Sequence, residues 1–308
     1  KRTGPSVRVV IAGEAIDSGQ KVHNLCVAVG CGDPQSAVFV FVDTDARPSG
    51  TWLRDLVAPL HDPKVGAATG YRWFVGQGGV SSHLRSVWNA SIASALGGQG
   101  DKNFCWGGST AIRRETFERF RVAERWRGTV SDDFTMTGVL HEASLPIKFV
   151  PQCLTPSYEN CSFRELIEFT TRQLKITRAY GSHLWKAVLA GSLLFVLAFF
   201  GGIVLVAARA ATGLSVATPL AFLLIIFAMG AMKSYLRLRA VSFVIADRGL
   251  RSFTTILAHL TLWPVASLLF LCNALAAAMS RRITWRGITY ELKSPSETVI
   301  IRRESRKT

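Results

Sequence analysis

Three long apolar stretches constrain this chain more than any other feature. Ala187–Ala208 contains no charged residue. As a helix rising about 1.5 Å per residue it can cross a hydrocarbon layer of about 30 Å. Leu214–Met232 is also uncharged, and Phe253–Met279 is interrupted only by His259, the Trp263-Pro264 pair and Asn273. One such stretch could be a buried core helix. Three in succession indicate an integral membrane protein with a soluble N-terminal half. Charge follows the same division. Residues 1–160 hold 17 Lys and Arg against 15 Asp and Glu, and residues 161–308 hold 19 against 6, for a total net charge of +15. This excess flanks apolar spans, as expected of cytoplasmic loops touching anionic lipid. A nucleic-acid protein would carry it on a soluble face, so nucleic acid is excluded as a partner.

The positive-inside rule assigns Arg172–Lys186, Lys233–Arg251 and Arg281–Arg303 to the cytoplasmic side. Two crossings satisfy it, so Phe253–Met279 is expected to dip into the bilayer and return, broken at Trp263-Pro264. A third full span with an external tail is the alternative. Cys26, Cys31, Cys105, Cys153, Cys161 and Cys272 show no metal-ligand spacing. They read as reduced thiols of a cytoplasmic domain.

In the soluble half, Val7–Ala12 and Ala37–Val42 read as buried strands flanking a helix over Lys21–Val29, one βαβ unit. The run Ala37–Val42 is continuous, as in a strand covered on both faces. It ends in Asp43-Thr44-Asp45, ahead of a turn at Arg47-Pro48-Ser49-Gly50. Ligands in open α/β sheets bind at the carboxyl ends of strands. Two carboxylates there suit Mg²⁺ or Mn²⁺ holding a diphosphate. They equally suit turn and cap positions. Further on come a helix at Gly50–Leu60, a short strand at Val65–Thr69 and a helix at Ser82–Leu96. The loop Asn103–Ile112 contains Trp106-Gly107-Gly108, and Arg113–Phe120 begins another helix. Asp132-Asp133 opens a helix through Leu140, where adjacent acids also serve as dipole-placed caps. Ile147–Val150 is a strand. From Ser162 to Trp185, Phe163, Leu166, Ile167 and Phe169 alternate with Arg164, Arg172, Lys175 and Arg178. That pattern predicts a helix at the bilayer surface, apolar side in lipid and basic side toward headgroups. The residues after Pro295 read as a mobile basic tail. The opening at Lys1-Arg2 reads as a fragment lacking its natural N-terminus.

The motifs Gly19-Gln-Lys-Val-His-Asn-Leu25, Asp43-Thr-Asp45, Trp106-Gly-Gly-Ser109, Ser131-Asp-Asp133 and Arg172–Arg178 follow one another in this order, with Arg281–Tyr290 after the last apolar stretch. In that order the chain resembles membrane-bound family 2 and family 21 glycosyltransferases, closest to ceramide glucosyltransferase-like proteins. The resemblance implies an α/β fold: a GT-A (Rossmann-like) domain followed by a C-terminal transmembrane helical region. It divides the chain into a catalytic domain at 1–160 without its first βα unit, an amphipathic interfacial helix region at 161–186, a membrane region at 187–280 and a basic cytoplasmic tail at 281–308. It implies an integral protein of a bacterial inner membrane with its catalytic domain in the cytoplasm. The partners implied are a UDP-sugar donor, a membrane lipid acceptor such as ceramide or diacylglycerol, and the bilayer.

The resemblance assigns roles residue by residue. Asp45 and Asp43 would hold Mg²⁺ or Mn²⁺ with the diphosphate, and Lys21 would reach the nucleotide. Asp133, beside Asp132, would be the general base. Arg172, Lys175 and Arg178 would stabilise the departing UDP. Trp106, Gly107 and Gly108 would line the acceptor site. A single displacement by the acceptor hydroxyl inverts the anomeric centre. The basic motif departs from the family's Q/R-x-x-R-W: Lys175-Ile-Thr-Arg178-Ala179 fits one frame, and Arg172-Gln173 stands for Arg-Trp in the other. A Gly common near the DxD of ceramide-type members is replaced by Asp45. A processive polysaccharide synthase needs more spans and an intact motif, and a membrane scaffold is the non-enzymatic alternative.

Overall fold

The apolar run before Asp43 and the helical pattern around Lys21 both form regular structure. The computed structural model describes residues 7–304. Lys1-Arg2 and the last residues of the basic tail, 305–308, lie outside the described residues. In chain order come α1 (Gln20–Gly30), β1 (Val38–Val42), α2 (Trp52–Val57), β2 (Ala67–Phe74), α3 (Val80–Ala93), β3 (Ser109–Arg113), α4 (Arg114–Arg119), α5 (Val122–Trp126), α6 (Asp132–Glu142) and β4 (Ile147–Ser157). The four strands form one mixed sheet in the order β1-β3-β2-β4. β3 runs antiparallel to both neighbours, and β2 and β4 are parallel.

Three sequence expectations change here. Val7–Ala12 is not a strand, and Val7, Val9 and Ile11 are 91%, 86% and 92% exposed. A strand needs a neighbour for its N–H and C=O groups, and these residues have none among the described residues. The βαβ unit is therefore not formed, and β1 pairs on one edge only, leaving Val42 exposed. Second, β2 is one strand from Ala67 to Phe74, with a register shift at Gly70. A Cβ on Gly70 would lie 2.2 Å from the Cys153 carbonyl oxygen, so only glycine lets β2 and β4 approach there. Third, β4 continues through Pro151 and Pro156 to Ser157. It is an edge strand, where a missing N–H is tolerated.

The core beneath this sheet is aromatic. Phe39 and Phe117 meet edge to face at 5.1 Å, and Phe41 and Phe117 each meet Trp126 at 5.4 and 5.3 Å. The fully buried Trp126 donates its Nε1–H to the Asp132 carbonyl at 2.9 Å, tying the core to the start of α6.

The remaining elements are α7 (Phe163–Tyr180), α8 (Ser182–Ala211), α9 (Ala217–Ser242), α10 (Phe253–Thr261), α11 (Trp263–Met279), β5 (Arg282–Trp285), β6 (Ile288–Ser294) and β7 (Glu297–Arg303). α7 starts in a reciprocal capping box between Ser162 and Glu165. Its apolar stripe, including Leu166 and Leu174, packs on Leu84, Trp88 and Leu269 of α3 and α11. The expectation of an apolar side in lipid is therefore corrected: the stripe finds protein, and only Phe163 and Ile167 at its edge stay exposed.

α8 and α9, of 30 and 26 residues, are long and apolar enough to cross a membrane. α10 and α11 meet at 57° across Leu262, next to Pro264 in the first turn of α11. The break falls where the Trp263-Pro264 pair predicts one. A bent span and a re-entrant hairpin both have this form.

Residues 297–303 of the expected mobile tail are instead strand β7, which completes a folded antiparallel sheet, β5-β6-β7. Ile283, Tyr290 and Leu292 turn inward onto Val130 and Ile176, which gives the basic segment an apolar face to bury. The sheet meets the N-terminal half at Gly128, whose φ is +73° and whose added Cβ would lie 2.2 Å from the Ser296 carbonyl oxygen. Gly128→Ala should lower stability by about 2 kcal/mol or more, read as a fall in the melting temperature of the purified protein.

Candidate active site

Pairing of β1 with β3 sets Val42 opposite Ser109, so Asp43 meets the loop that precedes β3. The Asp43 amide donates to the Gly108 carbonyl at 3.4 Å. Thr69 fixes that loop by accepting from the Trp106 amide at 3.0 Å, and Thr110 donates to the Trp106 carbonyl at 2.8 Å. β2 runs past the start of β3 and delivers Arg72 to the same place, its Nη2 3.1 Å from Asp43 Oδ2. The Gly19 amide donates to the Thr129 carbonyl at 2.8 Å, which draws the start of α1 against the start of α6. Lys21 therefore stands between two carboxylates, its Nζ 3.0 Å from Asp43 Oδ1 and 3.3 Å from Asp132 Oδ1.

Gly107 and Gly108 wall this cluster. A Cβ on Gly107 would lie 2.2 Å from Asp132 Oδ2, and one on Gly108 2.6 Å from Asp43 Oδ2. Only a bare backbone approaches the ions this closely. The Arg72 guanidinium also lies 5.3 Å from the centre of the Trp106 ring. Burial pulls the Lys21 ammonium down, but the Asp132, Asp43 and Asp133 carboxylates reverse this and hold it above its ordinary value. Asp132 is 5% exposed. Burial raises its carboxyl to about 6; Lys21 draws it back, while Asp133 and Asp43 push it up. Asp133 is half-buried in the first turn of α6, its Oδ1 accepting from the Phe134 amide at 2.8 Å and from the Ser131 hydroxyl.

Two acids and two cations from four separate elements thus meet at the carboxyl end of β1, where sheet folds bind ligands. The model of glycosyl transferase family 21 matches residues 4–298. The chain belongs to this family. No curated protein matches it.

Seen as a family 21 glycosyltransferase, the chain brings Lys21, Asp43, Asp132, Trp106, Gly107 and Gly108 together. Asp45 is exposed at the following turn and makes no ion pair or hydrogen bond among the described residues. The three basic residues of α7 diverge. The Arg172 guanidinium carbon lies 5.6 and 5.5 Å from the ring centres of Phe169 and Trp285, and burial followed by repulsion from Arg72 lowers its pKa. Lys175 donates to the Arg282 carbonyl at 2.8 Å. Arg178 donates to the Ala277 and Ala278 carbonyls at 2.5 and 2.9 Å. Those carbonyls close α11 without intrahelical partners, so Arg178 serves as a helix terminator.

Arg72 belongs to none of the sequence motifs, and the site gains it only through the fold. The available signal was a lone cation in an otherwise apolar strand. Among the described residues no three His, Cys, Asp or Glu side chains converge as metal ligands. A hard divalent ion still suits this set, because Mg²⁺ is commonly held by one or two carboxylates plus substrate phosphates. Asp45 has uncommitted oxygens, and the Asp43 oxygens keep lone pairs beyond those used by Lys21 and Arg72.

Folded protein takes up the Asp132 proton at a higher pH than the unfolded chain does. The stabilisation this brings is complete below the ordinary value of 3.8 and lost as pH rises through about 6. Between pH 5 and 7 the melting temperature of the wild type should therefore fall relative to that of Asp132→Asn. Parallel melting curves would show that Asp132 is not raised.

Proposed function

We propose that this protein is an inverting hexosyltransferase with a GT-A catalytic domain, moving glucose from a UDP-sugar to the hydroxyl of a membrane lipid such as ceramide or diacylglycerol. The observation that carries the reading is the Lys21–Asp43–Arg72–Asp132 cluster, walled by Gly107 and Gly108, in a family 21 chain with two helices of membrane-crossing length. The positive flanks of those helices favour a cytoplasmic catalytic domain.

In this mechanism the acceptor oxygen attacks the anomeric carbon, the bond from that carbon to the diphosphate oxygen breaks, and UDP departs with the electron pair. Asp133 takes the hydroxyl proton. Its half-buried position beside the cluster supports this role. Asp132 holds Lys21, so the ammonium stays charged and aimed at the diphosphate. Arg72 and Arg172 meet the negative charge that accumulates on the leaving group, Arg172 being free of any carboxylate partner among the described residues. A Mg²⁺ or Mn²⁺ ion held by Asp43 and Asp45 would neutralise the diphosphate. Trp106 offers an apolar face beside the glycine wall for the acceptor.

The test is UDP release from UDP-glucose by the full-length protein in liposomes, with and without lipid acceptor and Mg²⁺ or Mn²⁺. Release should depend on the lipid. Asp133→Asn should lower turnover by about 100-fold or more while UDP still binds. Asp43→Asn should instead weaken UDP binding. A folded wild type that neither binds UDP nor releases it would refute the transferase reading.

A further inference from the structure

The C-terminal sheet has no part in the chemistry proposed above, yet it touches two helices that carry site cations. At α1, the Gln20 amide, next to Lys21, donates to the Tyr290 hydroxyl at 3.2 Å, and Arg303 reaches the Ala15 carbonyl and Gln20 Oε1. At α7, β5 is held at both ends by residues one turn apart. The Lys175 ammonium binds the Arg282 carbonyl, and the Arg172 guanidinium lies over the Trp285 ring. Trp285 is the last residue of β5, paired with Ile288 across the two-residue turn Arg286-Gly287. Both turn residues have positive φ, +49° and +78°. That geometry belongs to the tight hairpin turn matched to the twist of its strands, and it fixes where the ring sits.

Arg172 is unusual among the arginines packed around this site. Arg72 is paired with Asp43 and Arg85 with Glu159. Arg172 makes no ion pair and no side-chain hydrogen bond among the described residues; the Glu168 carboxylate one turn back attracts it but is itself paired with Arg164. Its only close partners are the two rings that flank it. The edge-to-face contact of Phe169 with Phe74 at 5.8 Å, and of Arg72 over Phe74 at 5.4 Å, places this sandwich beside the cluster at Asp43. A guanidinium stacked on aromatic faces is oriented without being neutralised, and its donor edge stays available to an anion.

We infer that Trp285 is a positioning residue for the donor diphosphate: from the far end of the chain, it holds the Arg172 guanidinium flat and unneutralised for a phosphate oxygen. This rests on the proposed nucleotide-sugar reading and adds to it a residue of the C-terminal sheet.

The experiment is calorimetric binding of UDP with Mg²⁺ to the full-length protein in nanodiscs. Trp285→Leu keeps an apolar side chain against Ile176 and Ile288 and removes the ring. It should weaken UDP roughly tenfold, the scale of one partly desolvated cation–π contact. Trp285→Phe should restore most of the affinity. Arg172→Ala should weaken binding by at least as much, and the double variant Arg172→Ala/Trp285→Leu should bind no more weakly than Arg172→Ala alone. Wild-type affinity in a folded Trp285→Leu overturns the inference. So does a double variant whose losses multiply, because Trp285 would then act apart from Arg172. A wild type that binds no UDP removes the nucleotide reading itself, and this inference with it.

Discussion

A half-buried ammonium between two carboxylates is the contact on which this molecule turns. Lys21, Asp43 and Asp132 come from α1, the end of β1 and the start of α6, elements whose apolar faces, through Val22, Phe41 and Met136, share one core. Removing Lys21 leaves the buried Asp132 carboxylate without its ion pair, which costs more than the pair contributes. The surrounding backbone is shaped to that need. Two glycines stand where any side chain would strike the carboxylates. Asp132 is placed by its own carbonyl, which receives the indole N–H of the most buried tryptophan of the aromatic core. The core thus sets the ion cluster, and the cluster sets the geometry in which a diphosphate could be met.

How far the sequence disclosed this depended on whether each signal was local. β1 was legible because five apolar residues run unbroken into Asp43, and α1 because its pattern is helical. β3 was not legible: Ser109 and Thr110 are polar, and they are buried only because β1 and β2 flank them on both edges. Val7–Ala12 shows the converse. Its apolar character reads as a strand, but pairing is a property of a neighbour and not of the segment. The C-terminal sheet was hidden by its arginines, which occupy the outward positions while Ile283, Tyr290 and Leu292 carry the fold.

The site followed the same rule. Lys21, Asp43 and the glycine loop stood in recognisable motifs, and the fold gathers them. Arg72 lay in no motif, and only the overrun of β2 past β3 brings it to Asp43. The three basic residues of α7 could not be told apart by spacing. On the helix they occupy successive turns, but what each meets is decided by β5 and α11, far away in the chain. Charge and spacing therefore identified the helix, and tertiary contacts identified the arginine.

That helix also joins the N-terminal half to the apolar helices. Thr171 donates to Asn273 of α11 at 2.9 Å, Arg178 closes the end of α11, and the Trp185 indole at the start of α8 donates to the Ala274 carbonyl at 3.1 Å. α7 and α11 are thus fastened along their length by polar contacts within an apolar interface, where each bond is hard to exchange for water. Arg172, at the position after Thr171, meets β5 instead. α7 also packs on Leu84 and Trp88 of α3, so the helix that carries Arg172 is held by α11, by α3 and by the C-terminal sheet, and its place relative to Asp43 depends on all three contacts together.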